Sequence, residues 1–226
     1  MTPAAAGPRP ADPRPEAARL LLIRHGETEW NTEGRIQGFR DIALSPRGQR
    51  QAQVLARHLA THAIDAVYAS DLGRAIETAG PLARQRNLTV QIDARLKERG
   101  FGLFEGSTYA EAEAKWPNEY AIWRQRDPGH ALPGGESFRD ARARVMAALE
   151  EIAHRHAGGT VALVTHGGVL DIIYRAAEGI PWETPRSHLL PNASINDVVA
   201  RAPGPELQVL AWAQSGHLDA ARDEIS

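Results

Sequence analysis

The chain of 226 residues contains no cysteine. That excludes disulfides, thiolate nucleophiles and sulfur ligation of a metal, and it suits a reducing compartment. An excess of either charge is missing too: 26 Lys and Arg face 28 Asp and Glu, a formal net charge of -2. Such a balance argues against nucleic-acid or membrane partners recruited by bulk charge. No apolar run approaches the roughly 20 residues of a membrane span. The N-terminal residues lack the apolar core of a secretory signal, so a cytoplasmic protein is expected. Metal-ligand spacing is absent as well: His58, His62, His130, His188 and His217 are scattered. His154 and His156 fall near a helix end, where they suit terminal carbonyls.

The length fits one α/β domain with an inserted cap. Residues 1–17 are rich in Pro and Ala and cannot bury enough apolar surface to offset their ordering entropy, which predicts a disordered tail. A single domain is expected over residues 18–213, with a cap at about 103–135 and a polar tail over 214–226. Apolar runs at 18–24, 65–70, 88–92 and 160–165 read as strands. Two more strands, at 193–201 and 206–213, flank the turn Pro203-Gly204-Pro205. Between them, helical spacing recurs over 46–61, 71–86, 137–156 and 168–177. Ser45-Pro46 gives one helix its cap and first residue, Ser137-Phe138-Arg139-Asp140 resembles a capping box, and Pro81 is expected to kink or shorten its helix. Residues 26–44 and 93–106 read as loops. This alternation predicts an α/β three-layer sandwich: a mostly parallel central sheet, helices on both faces, and a small helical cap.

One stretch organises the chemistry. Leu20-Leu21-Leu22-Ile23 runs straight into Arg24-His25-Gly26, and Val161-Ala162-Leu163-Val164 runs into Thr165-His166-Gly167-Gly168. Ligands of open α/β sheets sit beyond the carboxyl ends of strands, so the two imidazoles are expected at one sheet edge. An Arg fork matches phosphate oxygens, and a neutral His can attack phosphorus and hold a covalent intermediate.

The segment Leu22 to Asn31, reading LIRHGETEWN, closely resembles the signature of the histidine phosphatase superfamily, in its phosphoglycerate mutase-like branch. The resemblance continues through Leu44-Ser45-Pro46-Arg47-Gly48, Ser70-Asp71-Leu72-Gly73-Arg74-Ala75, Leu96-Lys97-Glu98-Arg99-Gly100, Gly134-Gly135-Glu136-Ser137 and Val164 to Gly168. It implies that His25 becomes phosphohistidine, that Arg24, Arg74 and His166 surround the phosphoryl oxygens, and that Glu98 protonates the leaving group. Asn31, Gln37, Gly38 and the backbone amide of Gly167 fall where the family adds contacts to phosphate or substrate. Asn31 could instead form a local Asx-turn. The resemblance implies no metal and no organic cofactor. It implies a small phosphorylated substrate, and a monomer or homodimer is expected.

Two Arg and a protonated His166 would neutralise the phosphoryl dianion, while His25 has to be neutral, with its other ring nitrogen donating to a fixed acceptor. Members that act as mutases carry Asn just after the second His-Gly, with an Arg slightly further on. Gly168 and Asp171 stand there in this chain, and Gln37-Gly38-Phe39 replaces a Cys-Gly-Trp element. Hydrolysis of a phosphomonoester is therefore favoured. Lys115, Arg124 and Arg126 leave positive charge in the cap, and a 2,3-bisphosphoglycerate-dependent phosphoglycerate mutase is the alternative. A non-catalytic binding module on the same fold is a third reading, disfavoured because all five core residues are present. Trp116, Tyr120 and Trp123 suit packing of the cap, with substrate contact as a second use.

Overall fold

The apolar run after Ala17 forms strand β1, Ala18–Arg24, at the heart of a six-stranded sheet. The structure is a computed structural model that describes residues 17–204 and 206–221. Apart from Ala17, the expected N-terminal tail lies outside the described residues. The other strands are β2 (Ala66–Ala69), β3 (Val90–Ile92), β4 (Thr160–Thr165), β5 (Ile195–Arg201) and β6 (Glu206–Gln214), in the spatial order β3-β2-β4-β1-β5-β6. β1 to β4 run parallel, while β5 is antiparallel to both β1 and β6.

Both faces of β1 are covered from Leu20 to Ile23, which is why that stretch is continuously apolar. Side chains alternate across a strand. Leu20 and Leu22 join the core beneath helices α6 (Phe138–Arg155) and α7 (Gly167–Glu178). Leu21 and Ile23 join the core beneath α2 (Pro46–His58) and α3 (Gly73–Gln85). Each such leucine, fully buried, contributes roughly 1.5–3 kcal/mol from its area alone. Ser45 and Ser137 cap α2 and α6 through their hydroxyls. α3 runs through Pro81 to Gln85, so the proline does not shorten it.

Three local expectations change. The loop after β1 contains a short helix, α1 (Glu29–Thr32), because Thr28 and Asn31 form a reciprocal capping box. The stretch 93–106 holds two 3-10 turns, Ala94–Leu96 and Gly102–Phe104. The segment read as a polar tail holds α8, Gly216–Ala220, which packs on α2. Helices α4 (Tyr109–Lys115) and α5 (Pro117–Arg124) lie in the cap region. There Phe104 is fully buried, with Trp116, Tyr120 and Trp123 at ring-centroid distances of 6.0, 6.1 and 6.0 Å. Packing is thus the main work of these aromatics. Among the described residues no helix is long and apolar enough to cross a membrane.

Candidate active site

The register between β1 and β4 pairs Arg24 with Thr165. The next residue of each chain segment is a histidine, so parallel pairing alone puts His25 beside His166 at the sheet's carboxyl edge. Their ring centroids are 5.1 Å apart. On the other side of β1 lies the antiparallel β5, so the edge opens into a crevice where a ligand can enter.

His25 is buried, and its Nδ1 lies 2.7 Å from the Gly26 carbonyl. A carbonyl only accepts, so Nδ1 carries the proton and Nε2 keeps its lone pair. Burial pushes the His25 pKa well below 6.5, and Arg74 and Arg24 push it further. The ring is therefore a neutral nucleophile at neutral pH. Gly26 is held by close backbone packing: a Cβ there would sit 2.6 Å from the Gly48 carbonyl oxygen, and one on Gly48 would sit 2.0 Å from that of Glu27. The Leu44 to Gly48 segment is thus the floor against which the His25 turn is set.

Arg74 is fully buried at the start of α3. Its guanidinium donates to Arg40 O (2.6 Å), Gly38 O (2.9 Å) and His166 Nδ1 (3.3 Å). His166 Nε2 then donates to the Ser70 hydroxyl at 2.7 Å. Both ring nitrogens are engaged, and burial, Arg74 and His25 hold the His166 pKa well below 6.5. The expected protonated His166 is thereby corrected: the ring is neutral, first because it is buried and then because its nearest charges are positive.

Arg24 lines the cavity and donates to the Leu190 carbonyl. Burial lowers its pKa to about 10, opposed by Glu98 and assisted by Arg186 and Arg74. Arg24 Nε and Gln37 Oε1 are buried polar atoms without a partner among the described residues. Such orphans are rare in native structures and mark places where a ligand completes the bonding. Glu98 accepts from the amides of Arg99 (2.8 Å) and Gly168 (3.0 Å). A Cβ on Gly168 would lie 2.3 Å from Glu98 Oε1, so a side chain there is incompatible with this carboxylate position. Gly167 opens α7, whose N-terminus favours an anion. Gly38 has φ +52, and a Cβ would lie 2.1 Å from Glu105 Oε1, which accepts from the amides of Phe39, Phe101 and Gly102.

Asn31 serves two ends. Its side-chain carbonyl caps α1 and accepts from Asn192 Nδ2 at 3.1 Å, while the residue lines the cavity. The structure therefore brings Arg24, His25, Arg74, Glu98, Asn31, Gln37, Gly38 and Gly167 to one cavity wall, with His166 buried behind Arg74 and bonded to it. Sequence reasoning missed Ser70, Thr78 and Asn192. Thr78 accepts from Gly26 N at 2.9 Å, and Asn192 donates to the His25 carbonyl at 3.0 Å. Ser70 and Thr78 fall in the sequence block around Arg74 but carry no role from it, and Asn192 gives no signal. The cavity is about 490 Å³, larger than a phosphate needs.

The sequence profile of the histidine phosphatase superfamily (branch 1) matches residues 20–213. A metal-independent phosphoserine phosphatase of Arabidopsis thaliana is 38% identical over 206 residues, covering 90% of this chain and 84% of that protein. Phosphoglycerate mutase-like protein 4 of the same plant is 36% identical over 205 residues, covering 89% and 87%. The mycobacterial glucosyl-3-phosphoglycerate phosphatase, solved with VO3, superposes with a TM-score of 0.77 at 32% identity, covering 87% of this chain and 99% of that one.

Proposed function

Since this chain belongs to the histidine phosphatase superfamily, branch 1, we propose that it hydrolyses a small phosphomonoester through phosphohistidine at His25. The observation that carries this is the Nδ1–H bond to Gly26, which leaves the Nε2 lone pair of His25 free beside buried cations.

In the first step Nε2 attacks phosphorus, the bond from phosphorus to the leaving oxygen breaks, and Glu98 gives that oxygen its proton. In the second, water attacks the phosphohistidine, its proton passes to Glu98, and Nε2 recovers its lone pair. Arg24, the two N–H groups of Arg74 not yet bonded, and the Gly167 amide stabilise charge on the equatorial oxygens. Gln37 and Gly38 frame the phosphate side of the cavity, and Asn31 stands at its rim. His166 stands behind Arg74: its Nδ1 accepts from Arg74 Nε and so orients the guanidinium towards the phosphate, and a proton on Nδ1 would break that bond. This charge set is the work a metal ion does in other phosphoryl-transfer sites.

Hydrolysis is favoured over a mutase reading by Gly168 and Asp171, which stand where the mutase pattern carries Asn and Arg. Relatives named phosphoserine phosphatase and glucosyl-3-phosphoglycerate phosphatase point the same way. The near-neutral charge supports a cytoplasmic enzyme without nucleic-acid or membrane partners. The test is alkali-quenched labelling from a ³²P-monoester, with phosphate release followed in parallel. Wild type is expected to give an acid-labile phosphoenzyme and free phosphate in the presence of EDTA, and His25→Ala neither. Rapid interconversion of 2- and 3-phosphoglycerate, primed by bisphosphoglycerate and without phosphate release, would overturn the hydrolase reading.

A further inference from the structure

The charges lining the cavity do not balance around the phosphate site. Its wall holds six arginines and two carboxylates. Arg24 and Arg74 face the phosphoryl position, and Arg35 is paired with Glu33 and Glu111. Of the carboxylates, Asp171 is held by Arg175 and His188, and Glu98 by two backbone amides. That leaves Arg99, Arg126 and Arg186 without a carboxylate in ion-pair contact among the described residues.

Two of these guanidinium groups are anchored around one indole. Trp182 stacks on Phe138 at 4.0 Å, with the rings 15° apart. Arg126 lies 4.1 Å from the indole centroid and donates to Trp182 O at 2.7 Å. Arg99 is buried, 5.2 Å from the same centroid, and donates to Glu136 O. Glu136 itself is taken by Arg144 through both carboxylate oxygens. Arg186 is exposed at the rim, close enough to lower the pKa of both Arg24 and Arg126. Arg99 is buried and Arg126 half-buried, and the carboxylates that act on them, Glu98 and Glu136 on the first and Asp171 and Glu183 on the second, make no ion-pair contact with them among the described residues. Burying a guanidinium without a paired carboxylate is costly, and binding sites are where that cost is offset.

We propose that this distal wall is a second anion subsite, so the preferred substrate carries another acidic group on its leaving alcohol. This rests on the phosphomonoesterase reading above and deepens it. Trp182 fixes the planes of Arg99 and Arg126, and a preorganised fork loses less entropy when it clamps an oxyanion. Arg186 closes the rim over the bound group.

Matched substrate pairs test this. O-phosphoserine differs from phosphoethanolamine by a carboxylate, and 3-phosphoglycerate differs similarly from glycerol 3-phosphate. 2,3-Bisphosphoglycerate against 3-phosphoglycerate asks whether a second phosphate is the better anion. A charge-assisted contact predicts kcat/KM about 10- to 100-fold higher for the acidic member of at least one pair. In the Arg126→Gln/Arg186→Gln variant that ratio is expected to fall within about 3-fold of unity. Arg186→Gln alone, at an exposed position without a carboxylate in ion-pair contact among the described residues, should lower it partway without changing the melting temperature. Dissociation constants on His25→Ala protein give the same ratios without turnover. Hydrolysis or binding with no preference in any pair, or a preference that survives both substitutions, overturns the subsite. Absence of hydrolysis and of His25 labelling would overturn the phosphatase reading instead.

Discussion

Replacing Glu98 by Gln separates proton donation from charge stabilisation. The side chain keeps its shape but loses its proton and one acceptor. Glu98 accepts from two amides, Arg99 N and Gly168 N. A Gln can accept from one and must turn its NH₂ towards the other, leaving a backbone donor unpaired. That orphan costs about 1–3 kcal/mol, a melting-temperature fall of a few degrees. The kinetic effect is larger. General-acid assistance is worth about 10²- to 10⁴-fold, or roughly 2.7–5.4 kcal/mol of barrier. It matters when the leaving oxygen is a poor alkoxide and hardly at all for p-nitrophenolate, which departs as a stable anion. Single-turnover labelling of His25 should therefore slow about 10²- to 10⁴-fold with an alkyl phosphate and less than about 10-fold with p-nitrophenyl phosphate. An equal loss on both substrates would mean that Glu98 acts by charge or packing. No loss on either would remove it from the first step.

Ser70→Ala leaves the buried His166 Nε2–H without an acceptor. The expected cost is about 1–3 kcal/mol by denaturant titration, with a rise in KM for phosphate esters as the ring loses its tautomer. Stability should also depend on pH with a definite sign. His25 and His166 are held well below 6.5 and His217 at about 4, burial being the first cause in each. The unfolded chain binds protons near pH 6.5 and the folded one does not. Stability is therefore fully present above that value and falls as pH drops through 6.5 towards the folded pKa values. Melting temperatures between pH 8 and 4.5 check this, and a curve flat down to pH 5 would refute it.

The strands and both His-Gly turns were legible in the residues. A parallel sheet covered on both faces needs continuous apolar strands, and Leu20 to Ile23 and Val161 to Val164 spell that out. The order of the sequence blocks also pointed to Arg24, His25, Arg74, Glu98 and His166 before any coordinates. Pairing across the sheet was not local information. Ser70 meets His166 across 96 positions, and Asn192 meets His25 across 167. No periodicity encodes such contacts. The short helices α1 and α8 were missed because a few residues carry too little pattern, and their caps and neighbours decide them. Protonation was decided last. A histidine's sequence neighbours do not reveal that it is buried with two guanidinium groups around it, and burial together with that positive field keeps both imidazoles neutral. The unbalanced arginines around Trp182 belong to the same class. Arg99, Arg126 and Trp182 come from three separate segments, and only folding brings their charge and stacking into one wall.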